Sequence, residues 1–208
     1  VFVSGLETAA LILDTDYLTV IGADSNASVI DPLGDSSLNG LYGIFADTQI
    51  GLNVKNVGIQ GARRGIFFTN VDSSTIQGDS FNMLYHGIVM TAGSDTNTIS
   101  GNQFTYASTN GIDLQNCQGH TISNNLLTNG ALNGLSLTTA SNHTISGNTF
   151  SNNAGYGVNM ASGSDTNTIS GNTASSNSSI GIYLTACLNN TISGNTVQSN
   201  GSQGITLN

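Results

Sequence analysis

Apolar positions return along this chain at a long fixed interval and alternate with polar ones inside it. A glycine followed by an aliphatic residue recurs at Gly43-Ile44, Gly65-Ile66, Gly87-Ile88, Gly111-Ile112, Gly134-Leu135, Gly157-Val158, Gly181-Ile182 and Gly204-Ile205, the successive steps being 22, 22, 24, 23, 23, 24 and 23. A second register, Ile76, Ile99, Ile122, Ile145, Ile169 and Ile192, steps by 23, 23, 23, 24 and 23. After each glycine the residues alternate, as in Ile66-x-Phe68, Ile88-x-Met90, Ile112-x-Leu114 and Leu135-x-Leu137. A period of two predicts a strand with one buried face. Five residues after each isoleucine of the second register stands Phe81, Phe104, Leu127, Phe150, Ala174 or Val197. The intervening clusters of Gly, Asn, Ser and Asp are turn chemistry.

Short strands repeating at this interval describe the coils of a parallel β-helix, the reading that an internal period of this length favours. Like positions in successive coils then stack about 4.8 Å apart, and roughly nine coils make a rod roughly 45 Å long. The chain is expected to be one all-β solenoid over residues 1–208, less regular over 1–40 and regular over 41–208. The phrases Asn97-Thr98-Ile99-Ser100-Gly101-Asn102, Asn167-Thr168-Ile169-Ser170-Gly171-Asn172 and Asn190-Thr191-Ile192-Ser193-Gly194-Asn195 resemble right-handed parallel β-helix repeats. Such repeats occur in NosD-type periplasmic proteins, in carbohydrate-binding and sugar-hydrolase modules, and in surface proteins. The stretch from Leu18 to Gly61 is similar to the first coils of such proteins. The resemblance implies a single-stranded right-handed β-helix. It leaves function open, because this fold carries lyases, hydrolases, epimerases, adhesins and inert scaffolds.

Composition narrows the function. Three basic residues face twelve acidic ones for a net charge of −9, and only 7% of residues are charged, against about a quarter in ordinary soluble domains. Nucleic-acid binding needs many phosphate-neutralising cations, and here Lys55, Arg63 and Arg64 are all there are. No run of 18 apolar residues exists, so no helical membrane span is expected. From Leu114 onward the only formal charge is Asp165, so ordinary acid–base chemistry is confined to the first half.

Several columns follow from the registers. Asp79, Asn102, Asn125, Asn148, Asn172 and Asn195 recur at one turn of each coil, where an asparagine ladder closes the turn. His120 and His143 share a column with Asn97, Asn167 and Asn190 and read as satisfied turn histidines. Counted forward from the glycine, Cys117 and Cys187 share a column with Val71, Gly93, Ala140 and Gly163. Three coils separate the two cysteines, about 14 Å, too far for a disulfide. The Thr98-x-Ser100 pattern and its repeats form outward hydroxyl columns that resemble those of ice-binding solenoids; ordinary solvation of a strand face explains them as well.

One cluster could carry catalysis. Arg64 and His86 each immediately precede a first-register glycine, one coil apart, and Asp113 lies in the next coil. Tyr42, Phe67 and Tyr85 fall close in the same scheme, and Tyr156 and Tyr183 are further candidates for glycan contact. An Arg, a His and an Asp on adjacent coils could neutralise a uronate carboxylate and move a proton. In the family resembled, that is lyase or epimerase chemistry. The paired Asp motifs of its galacturonases are missing, and Asp31-Pro32-Leu33-Gly34 only half resembles the Asp-Pro-His motif of its mannuronan epimerases. No cofactor or metal is implied. Calcium would want grouped carboxylates, whereas Asp72, Asp79, Asp95 and Asp113 are spread over several coils.

The chain starts at Val1 without a leader, so a processed form or a fragment is expected. Sequons at Asn26, Asn142, Asn177, Asn189 and Asn200, with the low charge, fit a secreted or cell-surface protein. With no charged cap at either end, end-to-end self-association into a filament competes with excision from a longer β-helix. The leading expectation is an extracellular structural or adhesive module whose exposed Asn, Thr and Tyr could contact glycans. The alternative is an enzyme modifying acidic polysaccharides, and ice binding is a minor third reading.

Overall fold

The computed structural model describes residues 1–7, 9–26, 28–31 and 42–208, with nothing described of the side chains of residues 6 and 7. The strands form three parallel sheets of nine strands each, and each coil contributes one strand to every sheet. No helix occurs among the described residues. The first sheet contains strands such as Thr75–Gln77, Thr98–Ser100 and Thr121–Ser123. The second contains Ser80–Asn82, Gln103–Thr105 and Leu126–Thr128. The third has longer strands, including Tyr42–Asp47, Arg64–Thr69, His86–Thr91 and Ile112–Gln115.

The two sequence registers are the inner faces of the third and first sheets. Ile66, Ile88 and Ile112 pair in register, as do Ile76, Ile99, Ile122, Ile145 and Ile169, all with no exposed surface. Phe81 and Phe104 stack 4.5 Å apart in the second sheet. Each such side chain contributes about 1.5–3 kcal/mol by leaving water. From Gly43 to Gly181 the first-register glycine is needed for close approach: a Cβ on Gly134 would lie 2.8 Å from the Gly157 carbonyl oxygen and 2.8 Å from Phe150 Cδ1.

The corner between the first and second sheets is two residues long in every described regular coil. Its first residue is left-handed, as at Asn56, Gly78, Gly101, Asn124, Gly147, Gly171 and Gly194. The second residue is the predicted column. Here the strand ladder is interrupted, so one N–H and one C=O per coil need partners. Asparagine offers an acceptor and two donors. Asn125 Oδ1 accepts from Asn102 N at 2.9 Å, and its Nδ2 donates to Ile99 O at 2.9 Å. Asn148 and Asn172 repeat the pattern through to Asn195. At the head of the row, Asp79 Oδ1 accepts from Val57 N at 2.8 Å while its buried Oδ2 has no partner.

A second ladder stands at the corner between the third and first sheets. Asn97 N donates to His120 Nδ1, His120 N to His143 Nδ1, and His143 N to Asn167 Oδ1. The two imidazoles stack 4.8 Å apart. Both are neutral: burial pushes them down to about 4 and about 3, with Asp95 partly opposing at His120 and His120 reinforcing at His143. Only half of each ring is satisfied, since Nε2 is buried without a partner in both.

The cysteine column needs a correction. Coils with an extra residue at Ala92-Gly93 or Ser162-Gly163 shift a count made from the glycine. The true column is Val71, Ser94, Cys117, Ala140, Ser164 and Cys187, five residues before each second-register isoleucine, with Ser94 and Ser164 bonding backbone amides of the preceding coil. Both thiols are free.

Candidate functional site

The outward face of the third sheet carries two columns of interest. The residue before each glycine gives Tyr42, Arg64, His86, Asn110, Asn133 and Tyr156. Two residues past the glycine stand Phe45, Phe67, Val89, Asp113, Ser136, Asn159 and Tyr183.

At one end Tyr42 and Phe67 stack with centroids 5.3 Å apart, and Phe45 closes the triangle at 5.2 and 5.8 Å. The Arg64 guanidinium carbon lies 4.8 Å from the Phe67 ring centre and 5.8 Å from that of Tyr42. Arg63 similarly covers Tyr85 at 5.6 Å, and Tyr85 meets His86 edge-on at 5.1 Å. Among the described residues neither arginine has a carboxylate within ion-pair distance, and His86 Nδ1 lies 3.7 Å from Asp113 Oδ2, beyond hydrogen-bond reach and an ion pair only when the imidazole is protonated.

Arg64, His86 and Asp113 thus lie on three successive coils of one face. Burial lowers the His86 pKa, the Asp113 carboxylate pulls it back up, and Arg64 and Arg63 push it down again. The imidazole is therefore neutral at pH 7, as a general base must be. Asp113 is held from behind: Gln115 Nε2 donates to its Oδ2 at 3.1 Å and Asn110 Nδ2 at 3.3 Å. Asn133 Nδ2 donates in turn to Asn110 Oδ1 at 3.1 Å and its Oδ1 accepts from Tyr156 N at 2.9 Å. The donors all point towards Asp113, and Asn110 and Asn133 are buried although they belong to an outward column. Sequence reasoning missed this relay and Phe45; the place of Asn110 and Asn133 before Gly111 and Gly134 was the available signal.

Tyr156 and Tyr183 lie further along the same face and stack 5.0 Å apart at 20°. Of the sequon asparagines, Asn26, Asn142 and Asn189 are exposed. Asn177 is a correction to the sequon reading. It is buried in a third ladder between the second and third sheets, where its Nδ2 donates to Phe150 O and to Asn200 Oδ1 at 3.0 Å each. Asn153 and Asn200 belong to the same ladder and donate to Leu127 O and Ala174 O. Pro32, Leu33 and Gly34 of the half-matched epimerase motif lie outside the described residues.

This architecture defines the class: a right-handed parallel β-helix with a cationic and aromatic station on one sheet. The chain belongs to the right-handed β-helix region family, whose model matches residues 86–208. Residues 24–110 also match the model for NosD, a periplasmic copper-binding protein. No curated protein matches the chain. Among solved structures it is similar to the periplasmic alginate epimerase AlgG, with 19% identity over 80% of this chain and 44% of that one and a TM-score of 0.74. It is also similar to an alginate lyase from Paenibacillus sp. str. FPU-7, with 14% identity over 100% of this chain and 90% of that one and a TM-score of 0.70. A DFA-IIIase from Arthrobacter chlorophenolicus A6 shares 14% identity over 90% of this chain and 59% of that one, with a TM-score of 0.61. At these identities the likeness is one of fold, and the chain spans less than half the length of the epimerase.

Copper does not fit the part that matches NosD. Residues 24–110 contain one histidine, His86, no cysteine, and two methionines, of which Met90 is fully buried and Met83 exposed. No group of three or more His, Cys, Asp or Glu suited to a metal occurs among the described residues. In the buried histidine pair each Nδ1 already accepts a backbone N–H.

Proposed function

We propose that the chain is an extracytoplasmic glycan-binding β-helix whose third-sheet face takes a uronate-containing polysaccharide, with the sugar carboxylate at Arg64. The observation that carries this reading is the state of Arg64. In a chain with twelve acidic residues it has no carboxylate partner among the described residues and is held instead against Phe67 and Tyr42. Arginine presents a planar fork that matches a carboxylate, and aromatic rings take the C–H faces of sugars. The net charge of −9 opposes an acidic polymer, and physiological salt screens that repulsion beyond about 8 Å. A periplasmic family model and a periplasmic epimerase among the similar structures support the location. Titration calorimetry with oligomannuronate and its carboxyl-reduced form tests the reading. Binding of the acidic form alone, weakened at least tenfold by Arg64→Gln, is expected. No binding of any uronate oligomer by the folded protein would overturn it.

A second reading rests on the His86–Asp113 pair. Neutral His86 would take the proton from C5 of the uronate while Arg64 balances the charge that develops on its carboxylate. The resulting carbanion either expels the C4 oxygen, leaving a double bond, or regains a proton on the opposite face. Ultraviolet absorbance follows the first outcome and proton NMR the second. Turnover of alginate or pectate that disappears in His86→Ala is the expected result. No change in either readout would leave a binding module.

A further inference from the structure

We infer that this face holds its polysaccharide at two separated stations, Arg64 at one end and the Tyr156–Tyr183 pair at the other, so that tight binding requires a chain long enough to reach both. The inference rests on the glycan-binding reading above. The two stations occupy the same outward columns. Arg64 and Tyr156 both precede a first-register glycine, and Phe67 and Tyr183 both lie two places past one. Four coil steps separate Arg64 from Tyr156 and five separate Phe67 from Tyr183, about 19 and 24 Å. A sugar chain advancing about one ring per coil needs about five rings to touch both.

The ground between the stations offers contact surface but few free hydrogen-bonding groups. Asn110 and Asn133 are buried and bonded to each other, to Asp113 and to Tyr156 N. Asp113 is itself buried under Gln115 and Asn110. Specific affinity is therefore concentrated at the two ends. At the far end two half-buried tyrosine rings, nearly parallel, present a platform that carries no charge of its own. One polar contact is made there, from Asn208 Nδ2 to the Tyr183 hydroxyl at 3.3 Å. Such a platform takes the C–H face of a pyranose whatever its charge. Linking two weak contacts through one ligand multiplies them by the effective concentration of the second, typically ~10²–10⁴-fold.

Calorimetry of the full chain with a mannuronate disaccharide and a hexasaccharide tests the inference. The hexasaccharide is expected to bind at least tenfold more tightly than the disaccharide. In a Tyr156→Leu, Tyr183→Leu double variant the hexasaccharide falls to the disaccharide value while the disaccharide is unaffected. Far-UV circular dichroism unchanged from wild type shows that the coil has not been lost. Arg64→Gln weakens both ligands. A hexasaccharide that binds no better than the disaccharide, with Arg64→Gln still weakening both, overturns the two-station inference and leaves the glycan reading standing. Failure of both ligands to bind wild type removes that reading and the inference with it.

Discussion

Asp79→Asn should stabilise this protein, and by more as the pH rises. Asp79 occupies the asparagine column with an acceptor in place of a donor. Its Oδ1 receives Val57 N, its Oδ2 faces no partner, and burial raises its pKa from 3.8 to about 7. The carboxyl binds its proton more tightly folded than unfolded. The stability this contributes is whole below about pH 4 and is lost as the pH rises through about 7. At roughly 1.4 kcal/mol per pH unit the full swing is about 4 kcal/mol, of which about 2 kcal/mol falls between pH 5.5 and 8.5. The substituted amide has no such dependence. Its Nδ2 also gains the position from which Asn102 donates to Ile76 O at 3.0 Å, a bond worth about 1 kcal/mol net. Urea unfolding followed by far-UV circular dichroism at pH 5.5 and 8.5 measures the difference between variant and wild type. The expected advantage of the variant grows by that linkage increment at the higher pH. An advantage equal at both pH values would refute the reasoning, because the carboxyl would then not be titrating in the folded state.

Three further outcomes follow from the ladders and the site. The depressed pKa values of His120 and His143 contribute stability above about 6.5 that is lost as the pH falls towards about 4 and about 3. His120→Asn with His143→Asn should therefore move the acid-unfolding midpoint down, and an unchanged midpoint would count against buried neutral imidazoles. Gly134→Ala places a methyl against the Gly157 carbonyl and Phe150 and should cost more than about 2 kcal/mol in urea melts, whereas the same change at exposed Gly101, already left-handed at φ 65°, should cost about 1–2 kcal/mol through the backbone alone. Arg64→Gln should raise the His86 pKa and Asp113→Asn should lower it, as read by NMR titration of the imidazole; shifts of the same sign would mean that the two groups do not act on His86 from opposite sides.

The coil period, the short strands of each coil and the inner apolar columns were legible because side chains of one type recur at one interval. The first asparagine ladder was legible for the same reason. The ladder through Asn153, Asn177 and Asn200 was not, because the same corner is occupied by Ala62, Leu84, Ala107 and Gly130 in earlier coils. Two of its asparagines then looked like sequons. Two members of the cysteine column, at Ser94 and Ser164, were misplaced by one residue because in those coils an insertion lies between the glycine used for counting and the corner. Arg64 and His86 could be put on one column from their place before glycine. That Arg64 would settle on Phe67, and that outward Asn110 and Asn133 would be buried, depends on side-chain direction and loop path, which no period encodes.

From the coil of Asn53 onward the corner beside the first asparagine ladder keeps two residues, while the other two corners absorb the extra residues of those coils. Between the second and third sheets the glycine follows the strand after five residues in the coils of Arg64 and His86 and after six from Thr105 onward. The pitch does not change, because the ladders and strands on either side stay in register. One corner therefore acts as a hinge pin that fixes the geometry, and the opposite edges are free to grow. The edges that can accept new loops are those bordering the face with Arg64 and His86. Descendants of such a rod can thus remodel what it holds without re-solving how it folds.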